Sequence, residues 1–259
     1  MAKSIFDREN HNYIVLDSNH RALEKIVNLI KSQPFSILLL YGSPGVGKTC
    51  LIKRCYELLK DSENIHLQQV PFYNAKDFLK EIFVMFLDSK PTNTSSITSI
   101  LTELNEKLDK KITLFLDEAQ MYKDEDLELI RLLSDCKKIQ VVLSLHKIEK
   151  EDVMIKEYFT SRIWETIELS SLSKDELKSY ISKQLFLASL SQLNVYFDDK
   201  NCNIIHSLTK GNLRTLNKFL FKIFDMYHYY DTNEPSKISS GKILNKHIEM
   251  IALDMGIIK

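Results

Sequence analysis

Apolar residues follow two rhythms over the first two thirds of the chain and one rhythm after that. An apolar run at Ile37 to Tyr41 reads as a buried parallel strand, and the largely apolar stretches Lys111 to Leu116, ending in Asp117-Glu118, and Ile139 to Leu145 read as two more. A weaker run, Ile65 to Val70, is closed by Pro71, and Ile167 to Leu169 reads as a short fifth strand. Between the strands the apolar spacing is helical. Asp17 to Lys31 places Leu23, Ile26, Val27 and Ile30 on one face and stops before Pro34. Further helices are predicted at Cys50 to Lys60, Asn74 to Leu87, Ile100 to Lys110 and Asp124 to Ser134, with a loop from Ser89 to Ser99. Strands alternating with helices imply an α/β fold: a parallel sheet sandwiched by helices joined through right-handed crossovers.

The strand rhythm ends at Leu169. Ser173-Lys174-Asp175-Glu176 has the form of a capping box and opens a helix to about Ser191. Asp198 to Leu208 is a second helix. A third starts after Gly211-Asn212, with Leu213, Leu216, Leu220, Ile223 and Tyr227 on one face, and Ile243 to Met255 is the last. Residues 1–16 read as extended and 231–240 as a loop. The expected organisation is an α/β domain over 1–169 and a small all-α domain over 170–259.

Composition narrows the class. The 259 residues are 44% hydrophobic, enough to bury a core, and the net charge is zero. That balance leaves nucleic-acid binding less favoured than for a basic chain. Cys50, Cys55, Cys136 and Cys202 show neither a C-x-x-C pair nor a metal spacing, so reduced thiols are expected. Polar residues around Asp7 to Asn12 stand where the apolar core of a secretory leader would lie, so none is expected, and no apolar run is long enough to insert in a membrane. The expectation is a cytoplasmic protein, held at the inner membrane, if at all, by a partner.

The chemistry is concentrated at the end of the first strand. Gly42-Ser43-Pro44-Gly45-Val46-Gly47-Lys48-Thr49 fits G-x-x-x-x-G-K-[ST] at every fixed position, and Cys50 continues into the helix that follows. A loop nearly free of side chains can turn its N–H groups toward a triphosphate, and the helix adds the positive end of its dipole. Lys48 would place a point charge at the β- and γ-phosphates, and Thr49 would offer its hydroxyl to Mg²⁺. ATP with Mg²⁺ is the expected ligand. Asp117-Glu118 ends a buried strand downstream. Asp117 would hold the metal ion, and Glu118 would polarise the attacking water as general base. An acid placed to activate water favours hydrolysis over transfer to a second substrate.

With these motifs placed, the chain resembles the AAA+ ATPases, and within them the ExeA/GspA/MshM type linked to type II secretion and MSHA-type pili. Asp117-Glu118-Ala119-Gln120, followed by Leu127 to Ser134, looks like that group's D-E-A-Q and L-E-x-x-R-x-L-x-N, an arrangement shared with TniB-type transposition ATPases. The resemblance spans roughly residues 14 to 255 and implies further roles. His146, at the end of the fourth strand, takes the sensor 1 position, with Ser144 as the alternative. Arg162, in Thr160-Ser161-Arg162-Ile163, looks like an arginine finger for a neighbouring subunit. Arg214, in Gly211-Asn212-Leu213-Arg214-Thr215-Leu216-Asn217, resembles sensor 2. Tyr13 to Leu16 sits where adenine is often contacted. Family members with a membrane span and a wall-binding domain extend beyond the point at which Lys259 ends this chain.

The resemblance implies a homo-oligomeric ATP hydrolase assisting assembly of a secretion, type IV-like pilus or DNA-uptake machine, with an envelope protein as partner. The alternatives are a nucleic-acid ATPase of the transposition or replication-loading kind, and a slow nucleotide-dependent scaffold. Lys210, Arg214, Lys218 and Lys222 recur every four residues and could form a basic stripe for the first alternative.

Overall fold

A computed structural model describes Phe6 and residues 13–146, 159–234 and 243–258. Most of the stretch read as extended (1–5, 7–12) and most of the polar loop (235–240) lie outside the described residues. Contacts divide the chain into two compact units.

The α/β unit takes in residues 21–44 and 48–169. Its strands are β1 (Ile37–Gly42), β2 (Asn64–Gln68), β3 (Ile112–Leu116), β4 (Ile139–His146) and β5 (Ile163–Glu168), all parallel in the order β2-β3-β4-β1-β5. Gly42 of β1 lies opposite His146 of β4, and Leu116 of β3 opposite Leu143 of β4. This register brings out the residues that follow β1, β3 and β4 at one edge of the sheet, where open α/β sheets bind ligands. The helix α1 (Asp17–Ser32) leads into β1, and α2 (Lys48–Leu59), α3 (Ala75–Leu87), α4 (Ile97–Lys107) and α5 (Asp124–Ser134) lie between successive strands from β1 to β4. Leu39, Leu114, Leu116, Val141 and Leu143 of the central strands pack with Phe78, Ile82 and Phe83 of α3 and with Ile130 and Leu133 of α5 in one apolar core.

Two elements of this unit depart from the sequence expectation. The fifth strand starts at Ile163, four residues ahead of the predicted Ile167. It is an edge strand with Trp164, Thr166 and Glu168 exposed, so only one of its faces is apolar. Ile37 pairs with Ile163 and Leu38 with Glu165, which leaves Trp164 as the extra residue of a bulge, 58% exposed. The helix α4 begins at Ile97, inside the predicted loop, because the Ser96 hydroxyl caps it by accepting the Ser99 N–H at 3.0 Å.

The second unit holds residues 170 onward, Gly45–Gly47 and the chain up to His20. Its helices are α6 (Lys174–Leu187), α7 (Asp199–Thr209), α8 (Leu213–Asn233) and α9 (Asn245–Asp254). The helix α6 stops short of the predicted Ser191, since Ser189 adopts a left-handed backbone (φ 58°). A short 3₁₀ stretch, Ser191–Tyr196, follows. Leu177, Ile181, Ile205, Leu216, Phe219, Ile248 and Ile251 form the core. Ile14 and Leu16 are buried in that same core, which accounts for their apolar character without a ligand. Among the described residues no helix is long and apolar enough to cross a membrane.

The capping box at the start of α6 is present and has a third member. Ser173 Oγ accepts the Glu176 N–H at 3.2 Å, while Glu176 Oε2 accepts the Ser173 N–H at 3.1 Å. Glu176 Oε1 accepts the Ser18 N–H at 2.9 Å. Partial burial opposes ionisation of Glu176, but these hydrogen bonds outweigh it and hold the carboxyl below its ordinary 4.5. A depressed folded-state value contributes stability that is present above pH 4.5 and is lost as pH falls through the folded value. Glu176→Gln should therefore melt lower than the parent at pH 7, and the gap should close on acidification. Thermal unfolding followed by circular dichroism checks this, and a gap independent of pH would remove the carboxylate from the account.

Candidate nucleotide site

The loop after β1 supplies the first half of the site. Gly45 and Gly47 have φ of 83° and 105°, a left-handed backbone that a side chain disfavours. Ser43, Pro44 and Val46 complete the turn. Lys48 and Thr49 are the first residues of α2, and Cys50 follows them in its first turn. Lys48 is 4% exposed, and its ammonium folds back to donate to Gly42 O at 2.8 Å and Ser43 O at 3.2 Å. A buried ammonium held by main-chain carbonyls of its own loop fits an anion-binding cradle. Burial raises the Cys50 thiol, against a lowering effect of Lys53 and with a further rise from Asp117.

The second half comes from the end of β3. Asp117 is 2% exposed, and its N–H donates to Gln68 O of β2 at 3.0 Å, continuing the ladder by one residue. Asp117 Oδ2 accepts the Thr49 hydroxyl at 2.7 Å, and Oδ1 accepts the Glu118 N–H at 2.9 Å. A hydroxyl and a carboxylate oxygen meeting beside a phosphate loop are hard donors of the kind Mg²⁺ takes, with phosphate oxygens and water completing its shell. Among the described residues no group of three or more His, Cys, Asp or Glu could hold a metal ion, so this site would depend on the nucleotide for its remaining ligands.

Glu118 turns away from the strand with φ 54° and ψ 42°. A 3₁₀ turn, Ala119–Met121, then folds Gln120 back over it. Glu118 Oε2 accepts from Gln120 Nε2 and lies 3.2 Å from His146 Nε2. Gln120 Oε1 accepts the His146 N–H at 3.1 Å, and Gln120 Nε2 lies 3.3 Å from His146 Nδ1. His146 is thus brought beside Glu118. Ser144, the alternative, is fully buried opposite Leu40 of β1, and its hydroxyl has no hydrogen-bond partner among the described residues.

Residues 32–154 match the family model described as "AAA domain", on the same strands that carry these groups. That stretch of the chain is similar to AAA domains. The fold of the chain is similar to Cdc6p from Pyrobaculum aerophilum, with TM-score 0.60 and 18% identity over 90% of this chain and 67% of that one. The structure of Drosophila ORC bound to DNA aligns with TM-score 0.65 and 12% identity over 98% and 65%. The Thermotoga maritima RuvB Holliday junction branch migration motor gives TM-score 0.57 and 16% identity over 96% and 72%. At these identities the likeness is one of fold. No curated protein matches the chain in sequence.

Of the two arginines, Arg214 lies against the glycine loop, its backbone N–H donating to Gly45 O at 3.1 Å. Arg162, just ahead of β5, makes a bidentate pair with Asp135, Nε to Oδ1 at 2.7 Å and Nη2 to Oδ2 at 3.1 Å. Arg131 of α5 shares the same carboxylate at 3.1 Å. Arg214 is the second residue of α8, a helix capped by Asn212, whose Oδ1 accepts the Thr215 N–H at 3.2 Å. Sequence reasoning used Gln120 only as part of a motif and did not anticipate its contacts. Its one sequence signal is a long amide two places beyond the acid.

ATP with Mg²⁺ fits this site: the loop after β1 offers the phosphate cradle, and Thr49 and Asp117 offer hard oxygen donors. Thr49→Val keeps the shape of the side chain and removes the hydroxyl. The expected result is a loss of about tenfold in the ATP affinity gained on adding Mg²⁺, the scale of one hydrogen bond to a charged group. Affinity in EDTA should stay close to that of the parent. Calorimetric titration with and without Mg²⁺ checks it, and an undiminished Mg²⁺ increment would take Thr49 out of the metal site.

Proposed function

We propose that the protein hydrolyses ATP with Glu118 as general base and works as an oligomer that couples this reaction to remodelling a macromolecular partner. The observation that carries the reading is the hydrogen bond joining Thr49 to Asp117 with Glu118 beside it. In this reading the loop Gly42 to Thr49 receives the triphosphate on its N–H groups, with Cys50 adding another at the helix start. Lys48 exchanges its two carbonyl partners for phosphate oxygens. Mg²⁺, when bound by Thr49 and Asp117, neutralises phosphate charge. Glu118 takes the proton from water, and His146 steadies the carboxylate. Arg214 acts as a sensor for the terminal phosphate, and Arg162 leaves Asp135 to serve a neighbour's nucleotide. The α/β domain over 1–169 and the helical domain over 170–259 would then be the moving parts.

Two settings compete. The structures of similar fold named above include one bound to DNA and one described as a Holliday junction branch migration motor, which favours a nucleic-acid-associated ATPase. The D-E-A-Q motif favours assembly of a secretion or pilus machine at the inner membrane. A Glu118→Gln variant separates them. What it retains with ATP and releases with ADP, identified by mass spectrometry with and without nuclease, will be DNA-associated proteins in the first setting and envelope proteins in the second.

Glu118→Gln should bind ATP as the parent does and turn it over about 10²–10⁴-fold more slowly, the usual contribution of a positioned base. Unchanged turnover in a coupled phosphate-release assay would refute the base assignment. For the finger, turnover per subunit should rise with protein concentration, and Arg162→Ala should hold it at the dilute value. Turnover independent of concentration in the parent would rule out action in trans.

A further inference from the structure

We propose that Ser144 is a positioning residue for the metal site, a donor that holds the Asp117 carboxylate in the orientation Mg²⁺ requires. A polar group stands here with nothing to bond. Ser144 is fully buried, and its Oγ has no hydrogen-bond partner among the described residues. Its neighbours along β4, Leu143 and Leu145, belong to the core shared with α3 and α5. Strand side chains alternate, so Ser144 faces the other side of the sheet. The pairing of β3 with β4 fixes what stands beside it. Leu116 lies opposite Leu143, and Asp117 keeps the course of the strand through its bond to Gln68 O. Asp117 and Ser144 therefore share a face, on strands about 4.8 Å apart. It is the face toward α2, since the Thr49 hydroxyl reaches Asp117 from that helix.

Across the sheet Ser144 has Leu40 of β1 on one side and Asp117 on the other, and only the second side chain can accept a hydrogen bond. The carboxylate has room for another donor. Oδ2 accepts the Thr49 hydroxyl and Oδ1 the Glu118 N–H, whereas a carboxylate offers about four acceptor directions. A buried hydroxyl left without a partner is less stable than a methyl group in its place, so Ser144 weakens the nucleotide-free fold unless another state uses it. The metal-loaded site is such a state. A carboxylate that turns one oxygen to Mg²⁺ needs the other held, and outer donors of this kind change metal affinity by about 10–100-fold. A change of χ1 among its three staggered positions turns the hydroxyl toward β3 with no movement of the strand. Loading the site thus satisfies a group that the empty protein leaves unpaired.

This role rests on the reading of Asp117 as a holder of Mg²⁺. The test uses full-length Ser144→Ala, which removes one oxygen and keeps the rest of the side chain. Without nucleotide the variant should melt no lower than the parent, because no bond is lost. In calorimetric titration its ATP affinity in EDTA should equal that of the parent, while the gain on adding Mg²⁺ should fall about tenfold. Turnover at limiting Mg²⁺ should fall likewise and recover as Mg²⁺ is raised. A role in packing alone would move the melting point and the EDTA affinity and leave the Mg²⁺ gain intact. Clearly lower melting without nucleotide would overturn the positioning role, since the hydroxyl would already be bonded. A full Mg²⁺ gain in Ser144→Ala, with the gain lost in Thr49→Val, would overturn it while leaving the metal site in place. A full gain in both variants would overturn it together with the metal site on which it rests.

Discussion

Lys48 and Asp117 are charged groups taken out of water, and the nucleotide end of the sheet is built around keeping both of them satisfied. Each buried ion carries a desolvation penalty of several kcal/mol unless directed partners replace its hydration. For Lys48 the partners are carbonyls of the loop itself, Gly42 O and Ser43 O. For Asp117 they are the Thr49 hydroxyl and the Glu118 N–H. Thr49 belongs to α2 and Asp117 to the end of β3, so the bond between them requires the register that β4 imposes on both of its neighbours. A slip of one residue in a strand would turn every side chain to the opposite face, and the apolar core above and below the sheet resists this.

Adjacent acids are thereby given different surroundings. Asp117 continues the strand geometry through its bond to Gln68 O and is immobilised inside the sheet edge. Glu118 breaks from it into a left-handed turn and reaches side chains only, Gln120 and His146. Backbone strain of this kind costs on the order of 1–3 kcal/mol and persists where the surroundings over-determine it. Here they do, since the residues after the turn are pinned by buried Ala119 and by the Tyr122 ring packed on Phe72.

Fixed spacing was readable without a structure. The glycine loop, the acid pair and the alternation of strand and helix follow from local rules, and the central strands lie where their apolar runs predict them. The edge strand β5 was mostly hidden, because a strand buried on one face and interrupted by a bulge at Trp164 carries only half of the usual signal. The start of α4 was hidden in a run of Ser and Thr until Ser96 was seen to cap it. His146 entered by resemblance rather than by pattern. The contacts of Gln120 lay beyond reach because its partner stands 26 positions away and meets it only when β3 and β4 are paired. Arg162 could be placed before β5 from sequence, but its carboxylate partner at the end of α5 could not.

The bulge in β5 has a further use. Trp164 is the one tryptophan in the chain, and it stands on an open sheet edge two positions past Arg162. An indole in that place is an intrinsic fluorophore whose emission colour follows the polarity around it. Anything that covers the edge, including another copy of the chain, writes its arrival into the ultraviolet spectrum without a dye or a label.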